Sequence, residues 1–308
     1  MEVNKMVSIA THQDADGISA AALYLHAFDL DLDDVEINMP EEFGDVEDED
    51  VVLDMKPLNP DYEGTVYDHH LNHPKKRAYE LHHMEIPAAG IVWKKHRKTI
   101  PKKHWWKVAI GMAGDGQTEK TPVKVIKKSP LLMERVLWTR QNYGKTIVTA
   151  VPIISTLSSP VNALCRTGKP MKALEMVYNA QTPFDIYSKS AIEAKKAVRM
   201  EVEDVFKGFG SYFPQPVRIK DRFTICEYES DYRIGGLVAI KLNEADKSTV
   251  IALNRRNGTM SIRGILASYA VEILTENGMK AGGHAGFAGG RVTEDQDIED
   301  LVEIFCKA

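Results

Sequence analysis

Three short apolar runs early in the chain, 6–11, 51–53 and 65–67, hand over to polar residues, and acids stand just beyond them: Asp14 and Asp16, Asp54, and Asp68. An Ala/Leu-rich stretch, 18–28, follows the first run after Gly17, and helical patterns recur at 88–98 and 105–112. Strands that alternate with helices imply a mostly parallel sheet covered on both faces. In such a sheet, ligands bind beyond the carboxyl ends of the strands. The acids are therefore expected along one edge. The predicted fold class is α/β, with a mostly parallel N-terminal sheet flanked by helices, a linking helix, and a smaller mixed α/β C-terminal domain.

A chain of 308 residues exceeds one ordinary core, so two domains are expected. Thr182-Pro183 opens a charged helical stretch with Ile186, Ile192, Val198, Val202 and Val205 on its apolar face, ending before Gly208. Beyond Pro214-Gln215-Pro216 the pattern turns to β-rich hairpins at 222–227, 248–253 and 259–262, separated by helices. The expected boundaries are 1–182 for the first domain, 183–209 for the linking helix and 210–308 for the second domain. With 44% apolar and 27% charged residues the composition is that of a soluble globular protein. No apolar run is of bilayer length and no basic-then-apolar leader opens the chain, so no membrane partner and a cytoplasmic location are expected. Cys165, Cys226 and Cys306 lack CxxC spacing, which argues against a disulfide framework and a thiolate metal site.

The net charge of −5 is a poor fit to a binder of long duplex through bulk electrostatics. It hides an asymmetry. Acids dominate 29–54, read as a solvated surface, whereas 94–128 is rich in Lys, Arg and His. Trp93, Trp105 and Trp106 lie in or beside this basic run. Such a mixture suits a single strand held by charge and stacking, but helical core positions are the plainer reading of the tryptophans.

Four patches carry metal-binding chemistry. Thr11-His12-Gln13-Asp14-Ala15-Asp16-Gly17 offers two carboxylates at spacing two, with Gly17 allowing a tight exit. Asp54 ends Val51-Val52-Leu53, and Tyr67-Asp68-His69-His70, with His73 behind it, adds imidazoles. Asp115 sits among small residues in Ala113-Gly114-Asp115-Gly116. Asp and neutral His suit borderline divalent metals. Each patch alone has an ordinary reading as a turn, core or surface feature.

In combination they carry more. The order HxDxDG, Asp, Asp-His-His, Asp resembles the DHH phosphoesterase superfamily. Gly282-Gly283-His284-Ala285-Gly286-Phe287-Ala288-Gly289-Gly290 is similar to the GGGHxxAAG signature of the DHH-associated domain, and Pro160-Val161-Asn162-Ala163-Leu164-Cys165-Arg166 to the RxNAxGR segment of RecJ-like nucleases. The resemblance implies two divalent ions, manganese first and magnesium or cobalt also suitable, held by Asp14, Asp16, Asp54, His69 and Asp115. Asp54 would bridge them and His12 is the least secure ligand, because it precedes Asp14 by two residues as in RecJ-like members. His70 would face the phosphate, and Asp68 would be a ligand or would fix a histidine tautomer. Together with Asp54 these form the expected catalytic set.

Arg166, Arg263, Gly282, Gly283, His284 and Gly286 are the expected substrate contacts. The glycines would let backbone N–H groups form an anion-binding concavity, with tight helix–strand packing as the other reading. Pro160 and Cys165 depart from the family segment, which weakens Arg166.

The implied activity is a two-metal phosphodiesterase that takes single-stranded DNA or short oligonucleotides to nucleoside monophosphates. The alternative is an oligoribonuclease or a phosphodiesterase of cyclic dinucleotides or pAp. A non-catalytic replication scaffold is the reading from another class, and the intact acids and histidines argue against it. The resemblance also implies a monomer or homodimer and leaves room for a replication or repair protein partner.

Overall fold

A computed structural model describes residues 6–40, 46, 49–57, 62–70, 86–142, 145–284, 286–293 and 296–308, with backbone alone at 138–142, 145–147 and 284. His73 lies outside the described residues. β1 (Val7–Thr11) leads into α1 (Ala15–Phe28), followed by β2 (Val35–Asn38), β3 (Val51–Leu53) and β4 (Thr65–Tyr67). All pairings are parallel, in the order β2-β1-β3-β4. Alternate side chains point to opposite faces. Ile9, Val51, Leu53 and Tyr67 join the main core, whereas Ala10, Val52 and Val66 pack with Met55 and Tyr62 in a second cluster. Burial on both faces is why the strands read as unbroken apolar runs. β2 falls inside the acidic run read as solvated surface. Its Val35 is buried and Glu36 exposed, so the strand hides behind its charges.

α2 (Ala88–His96) and α3 (Val108–Gly114) pack on α1. The expected helix over 105–112 is split, because 102–107 winds as a tighter 3₁₀ turn before α3 begins, as helix N-termini often do. Trp93, Trp105 and Trp106 are buried at 5%, 8% and 1% exposure, so they belong to the core and none is a stacking platform. α4 (Val123–Lys128) returns to pack on the 3₁₀ turn. β5 (Arg135–Asn142) and β6 (Lys145–Pro152) then form an antiparallel pair that the sequence pattern does not announce. α5 (Ser158–Arg166) and α6 (Pro170–Asn179) complete this part, with α6 against α1.

α7 (Lys189–Gly208) starts later than Pro183, because Asp185 accepts the N–H bonds of Gln181 and Thr182 and holds a separate turn there. The chain divides into two compact units: Met1–Cys165 with Lys169–Lys195, and Arg166–Gly168 with Lys196–Ala308.

In the second unit, β7 (Val217–Ile219), β8 (Phe223–Tyr228), α8 (Gly235–Asp246), β9 (Thr249–Asn254), β10 (Thr259–Arg263), α9 (Ala267–Glu276), β11 (Lys280–His284), β12 (Phe287–Arg291) and α10 (Ile298–Lys307) follow in order. The six strands are ordered β11-β12-β10-β9-β8-β7. The runs 222–227 and 248–253 do not pair as a hairpin; α8 crosses over, which makes β8 and β9 parallel. Ile225, Ile251, Ile262, Leu274 and Phe305 share one core, while Cys226, Val250, Val238 and Val205 share another. No helix among the described residues is long and apolar enough to cross a membrane.

Candidate metal centre

Each acid is positioned by the local structure that carries it. Asp14 is the N-cap of α1, with Oδ1 accepting from the N–H groups of Asp16 and Gly17 at 2.9 and 3.0 Å. That satisfies donors the helix leaves open. The next N–H, of Ala15, donates to Asn162 Oδ1 at 2.8 Å, which ties α5 to the same turn. A Cβ at Gly17 would collide with the His12 carbonyl, so only glycine fits there.

Asp16 is fully buried, and its two oxygens accept from Ala88 N–H at 2.6 Å and Ala89 N–H at 2.9 Å, at the start of α2. The partial positive charge of that helix end favours a carboxylate. A Cβ at Gly111 of α3 would collide with Asp16 Oδ1, so the glycine there gives the acid its place.

Asp54 follows β3 with φ 58°, a left-handed conformation uncommon for a residue with a side chain. Its N–H donates to the Tyr67 carbonyl at 2.9 Å, and His12 N–H donates to the Leu53 carbonyl at 3.2 Å. The sheet ladder thus extends past the strand ends and holds Asp54 between the loops after β1 and β4. Asp115 closes α3, with its N–H on the Gly111 carbonyl.

These loops bring eight predicted residues together. His69 Nε2 stands 3.1 Å from Asp115 Oδ2, 3.3 Å from Asp54 Oδ1 and 3.7 Å from Asp16 Oδ2. On the other side of Asp54, His12 Nδ1 is 2.9 Å from Asp14 Oδ2 and 3.5 Å from Asp54 Oδ2. Three sets have donor atoms close enough to share an ion: Asp54, His69 and His70; His12, Asp14 and Asp54; and Asp16, His69 and Asp115. Asp54 belongs to two of them. His70 Nδ1 lies 2.6 Å from Asp68 Oδ1 and 4.0 Å from Asp54 Oδ1. Asp68, fully buried, thus fixes the His70 ring and is in none of the three sets.

The electrostatics match a site built for cations. Burial, with repulsion from Asp54, Asp115 and Asp14, pushes the Asp16 carboxyl well above its usual range. Burial and then Asp54 and Asp14 raise Asp115 to about 7. Burial opposes charge on His69, but Asp54 and Asp115 outweigh it and raise it to about 9. The same contest at His12, with Asp14 and Asp54, ends at about 10. Asp14, which burial alone would raise, is held below the usual carboxylate range by His12. Without a cation the cluster balances itself with protons. Carboxylates and imidazoles are the donors that divalent ions of intermediate hardness take, and Asp54 Oδ1 is buried without a well-formed hydrogen bond. The residues fit a divalent cation of that kind.

The remaining predicted residues lie in the second unit. Arg263 Nη1 donates to the Ala288 carbonyl at 2.9 Å, its Nε is buried without a partner, and its guanidinium stands 5.2 Å over the Phe287 ring. Burial and then the Arg166 charge lower its pKa to about 10. A Cβ at Gly236 would meet Nη2 at 2.7 Å, so α8 opens on a glycine where the guanidinium passes. β11 and β12 pair antiparallel, with Gly282 on Gly289 and Gly283 on Ala288. Gly283 and Gly290 admit close strand packing, whereas the Cβ positions of Gly282 and Gly286 face open space. The His284 side chain is outside the described residues. Sequence reasoning missed Ala88, Ala89, Gly111 and Asn162 as supports of the acids. Asn162 is visible in the sequence only as part of a family segment, and nothing local marks the other three.

No protein-family model matches the chain, and no curated protein does. Solved structures do. RecJ of Thermus thermophilus in complex with Mn2+ gives a TM-score of 0.69 at 17% identity, covering 98% of this chain and 51% of that one. The chain thus spans about half the length of that RecJ. An exonuclease RecJ bound to manganese gives 0.63 at 17% identity over 98% and 89%. The DHH domain of a protein described as a member of a family of ribosomal proteins gives 0.65 at 13% identity over 98% and 85%. At these identities the likeness is one of fold.

Proposed function

We propose that this chain, which has the fold of the DHH superfamily, is a metal-dependent phosphodiesterase that releases nucleoside monophosphates from single-stranded DNA or short oligonucleotides. The observation that carries the reading is Asp54. Its Oδ1 faces His69 and His70, its Oδ2 faces His12, and it belongs both to the set with His69 and His70 and to the set with His12 and Asp14, so one carboxylate joins two sets of donors. Two divalent ions roughly 3.5–4 Å apart need such shared negative ligands; when bound, they activate water and neutralise charge on the transferring phosphoryl group. Manganese suits the donors, and the two RecJ structures contain it.

The chain's own residues do the rest. Asp14, Asp16, Asp54, His69 and Asp115 would hold the ions, and Asp16 is oriented by the start of α2. Asp68 takes a hydrogen bond from His70 Nδ1, which leaves the far ring nitrogen to meet a phosphate oxygen. Burial opposes charge on His70, but Asp68 outweighs it and holds its pKa above the ordinary value. In the second unit, Arg263 offers a guanidinium with no carboxylate partner among the described residues, suited to a nucleotide phosphate. Gly282, Gly283, His284, Gly286 and Arg166 are proposed beside it.

The test is the length dependence of hydrolysis. With manganese, 5′- or 3′-labelled DNA and RNA strands from two to about twenty nucleotides, plus cyclic dinucleotides, are followed over time. Stepwise release of monophosphates from the longer strands is the expected result. Rapid loss of two- to five-nucleotide RNA alone would replace this reading with the oligoribonuclease one. No hydrolysis with any divalent metal would favour a scaffold.

A further inference from the structure

The basic run remains unexplained by the metal centre. Lys98, Lys102, Lys103, Lys124, Lys127 and Lys128 are exposed and form no ion pair among the described residues. They lie on the turn after α2, on the 3₁₀ turn that precedes α3, and on α4, which packs back against that 3₁₀ turn. Within 94–128 the acids are Asp115, in the metal centre, and Glu119. Leaving like charges together costs free energy when no counter-charge meets them. In a chain of net charge −5, this concentration is not a consequence of general basicity.

Two kinds of polyanion could meet such a face, and the neighbours of the lysines decide between them. Protein interfaces have apolar and aromatic centres with charge at the rim. Here the three tryptophans and Ile100 are buried, and Val123, at 65% exposure, is the large hydrophobic left open within 94–128. A face of exposed amines without an apolar centre fits a phosphate backbone, which is held by Lys and Arg with little sequence preference. With all three tryptophan rings in the core, stacking is not its grip.

Position relates the face to the metal centre within the same unit. α3 joins the 3₁₀ turn to Asp115 through seven residues, about 10 Å at 1.5 Å each. The six residues of the turn add about 12 Å at 2.0 Å each. Lys102 and Lys103 thus stand up to roughly 20 Å from Asp115, a distance that a few nucleotides of single strand can span. We propose that the lysine face formed by the α2–α3 connection and α4 binds the sugar-phosphate backbone of single-stranded nucleic acid several nucleotides away from the metal centre. This rests on the phosphodiesterase reading for its link to activity, but the binding itself does not.

The experiment uses the full chain in chelator with a fluorescently labelled single strand of about 20 nucleotides. Lys102, Lys103, Lys124 and Lys127 are changed together to Gln, and separately together to Glu. Loss of four phosphate contacts lowers the slope of log affinity against log salt by about 3, since each contact on a single strand contributes roughly 0.7. The Gln set is expected to show that shift, and the Glu set at least a ten-fold weaker affinity near 0.1 M salt. With manganese, dinucleotide hydrolysis should match the parent in both sets, while KM for the long strand rises and kcat holds. Unchanged affinity and slope in both sets would overturn the proposal, as would equal losses on the dinucleotide and the long strand. If the parent hydrolyses nothing, the phosphodiesterase reading fails and the chelator arm still decides the face.

Discussion

Changing Asp54 to Asn is expected to lower kcat for phosphodiester hydrolysis on the order of 10³-fold or more while the protein stays folded. Asp54 stands between the two donor sets, so losing its charge weakens both at once. Asn is the better replacement for separating catalysis from folding. Position 54 has φ 58°, and Asn tolerates this conformation more readily than Ala. Asp33→Asn, an exposed acid in the acidic run, is the matched control and should leave the rate unchanged. Steady-state rates on a labelled strand, with circular dichroism for the fold, check both. Wild-type turnover in Asp54→Asn would remove the residue from the mechanism.

The second large effect is a pH-dependent stabilisation by metal. In chelator, His12, His69 and Asp115 have pKa values raised to about 10, about 9 and about 7, above their ordinary values. The folded state then holds protons that the unfolded chain has released. The stability these groups give is complete below their unfolded values and is lost as pH rises through about 7, 9 and 10. Asp14, held low, has the opposite sign, but its contribution is lost only in acid.

Bound ions replace those protons, so the gap in melting temperature between manganese-loaded and chelated protein should widen from about pH 6 to about pH 9. One proton displaced across about three pH units amounts to roughly 4 kcal/mol, or about 10 °C for a chain of this size. Lys107, which burial and then Lys103 lower to about 7, titrates in the same window with the reverse sign. It does so in both forms, and the gap cancels it. Thermal melts at fixed manganese check this; a gap that does not change with pH would mean that the ions bind elsewhere.

How much of this is legible in the sequence depends on range. Strands ending on acids follow from local pattern, and so β1, β3 and β4 read correctly and the acids fall at one edge. β2 is hidden because Glu36 and its acidic neighbours mask the buried Val35. The 3₁₀ turn at 102–107 merges with α3 because both patterns present apolar residues at similar spacing. β8 and β9 read as a hairpin because the strand signal carries no direction; only α8 between them makes the pair parallel.

Within the centre, composition and spacing supply the ligand types, and the resemblance supplies their grouping. What neither supplies is how the acids are held. Asp16 depends on N–H groups 72 and 73 residues away, and Ala15 on Asn162, 147 residues away. Such contacts exist only after the helices pack. His12 shows the same limit. The resemblance makes it the least secure ligand, and its place 2.9 Å from Asp14 and 3.5 Å from Asp54 is set by packing that the sequence does not show.

A pair of ions sharing Asp54 can be tested directly by one titration. Manganese is added to the chelator-stripped protein while bound metal and hydrolysis of a labelled dinucleotide are followed in the same samples. Two ions per chain, with turnover appearing as the second binds, is the predicted result. Saturation at one ion with full turnover, or two bound ions with no hydrolysis of any phosphodiester offered, would contradict it.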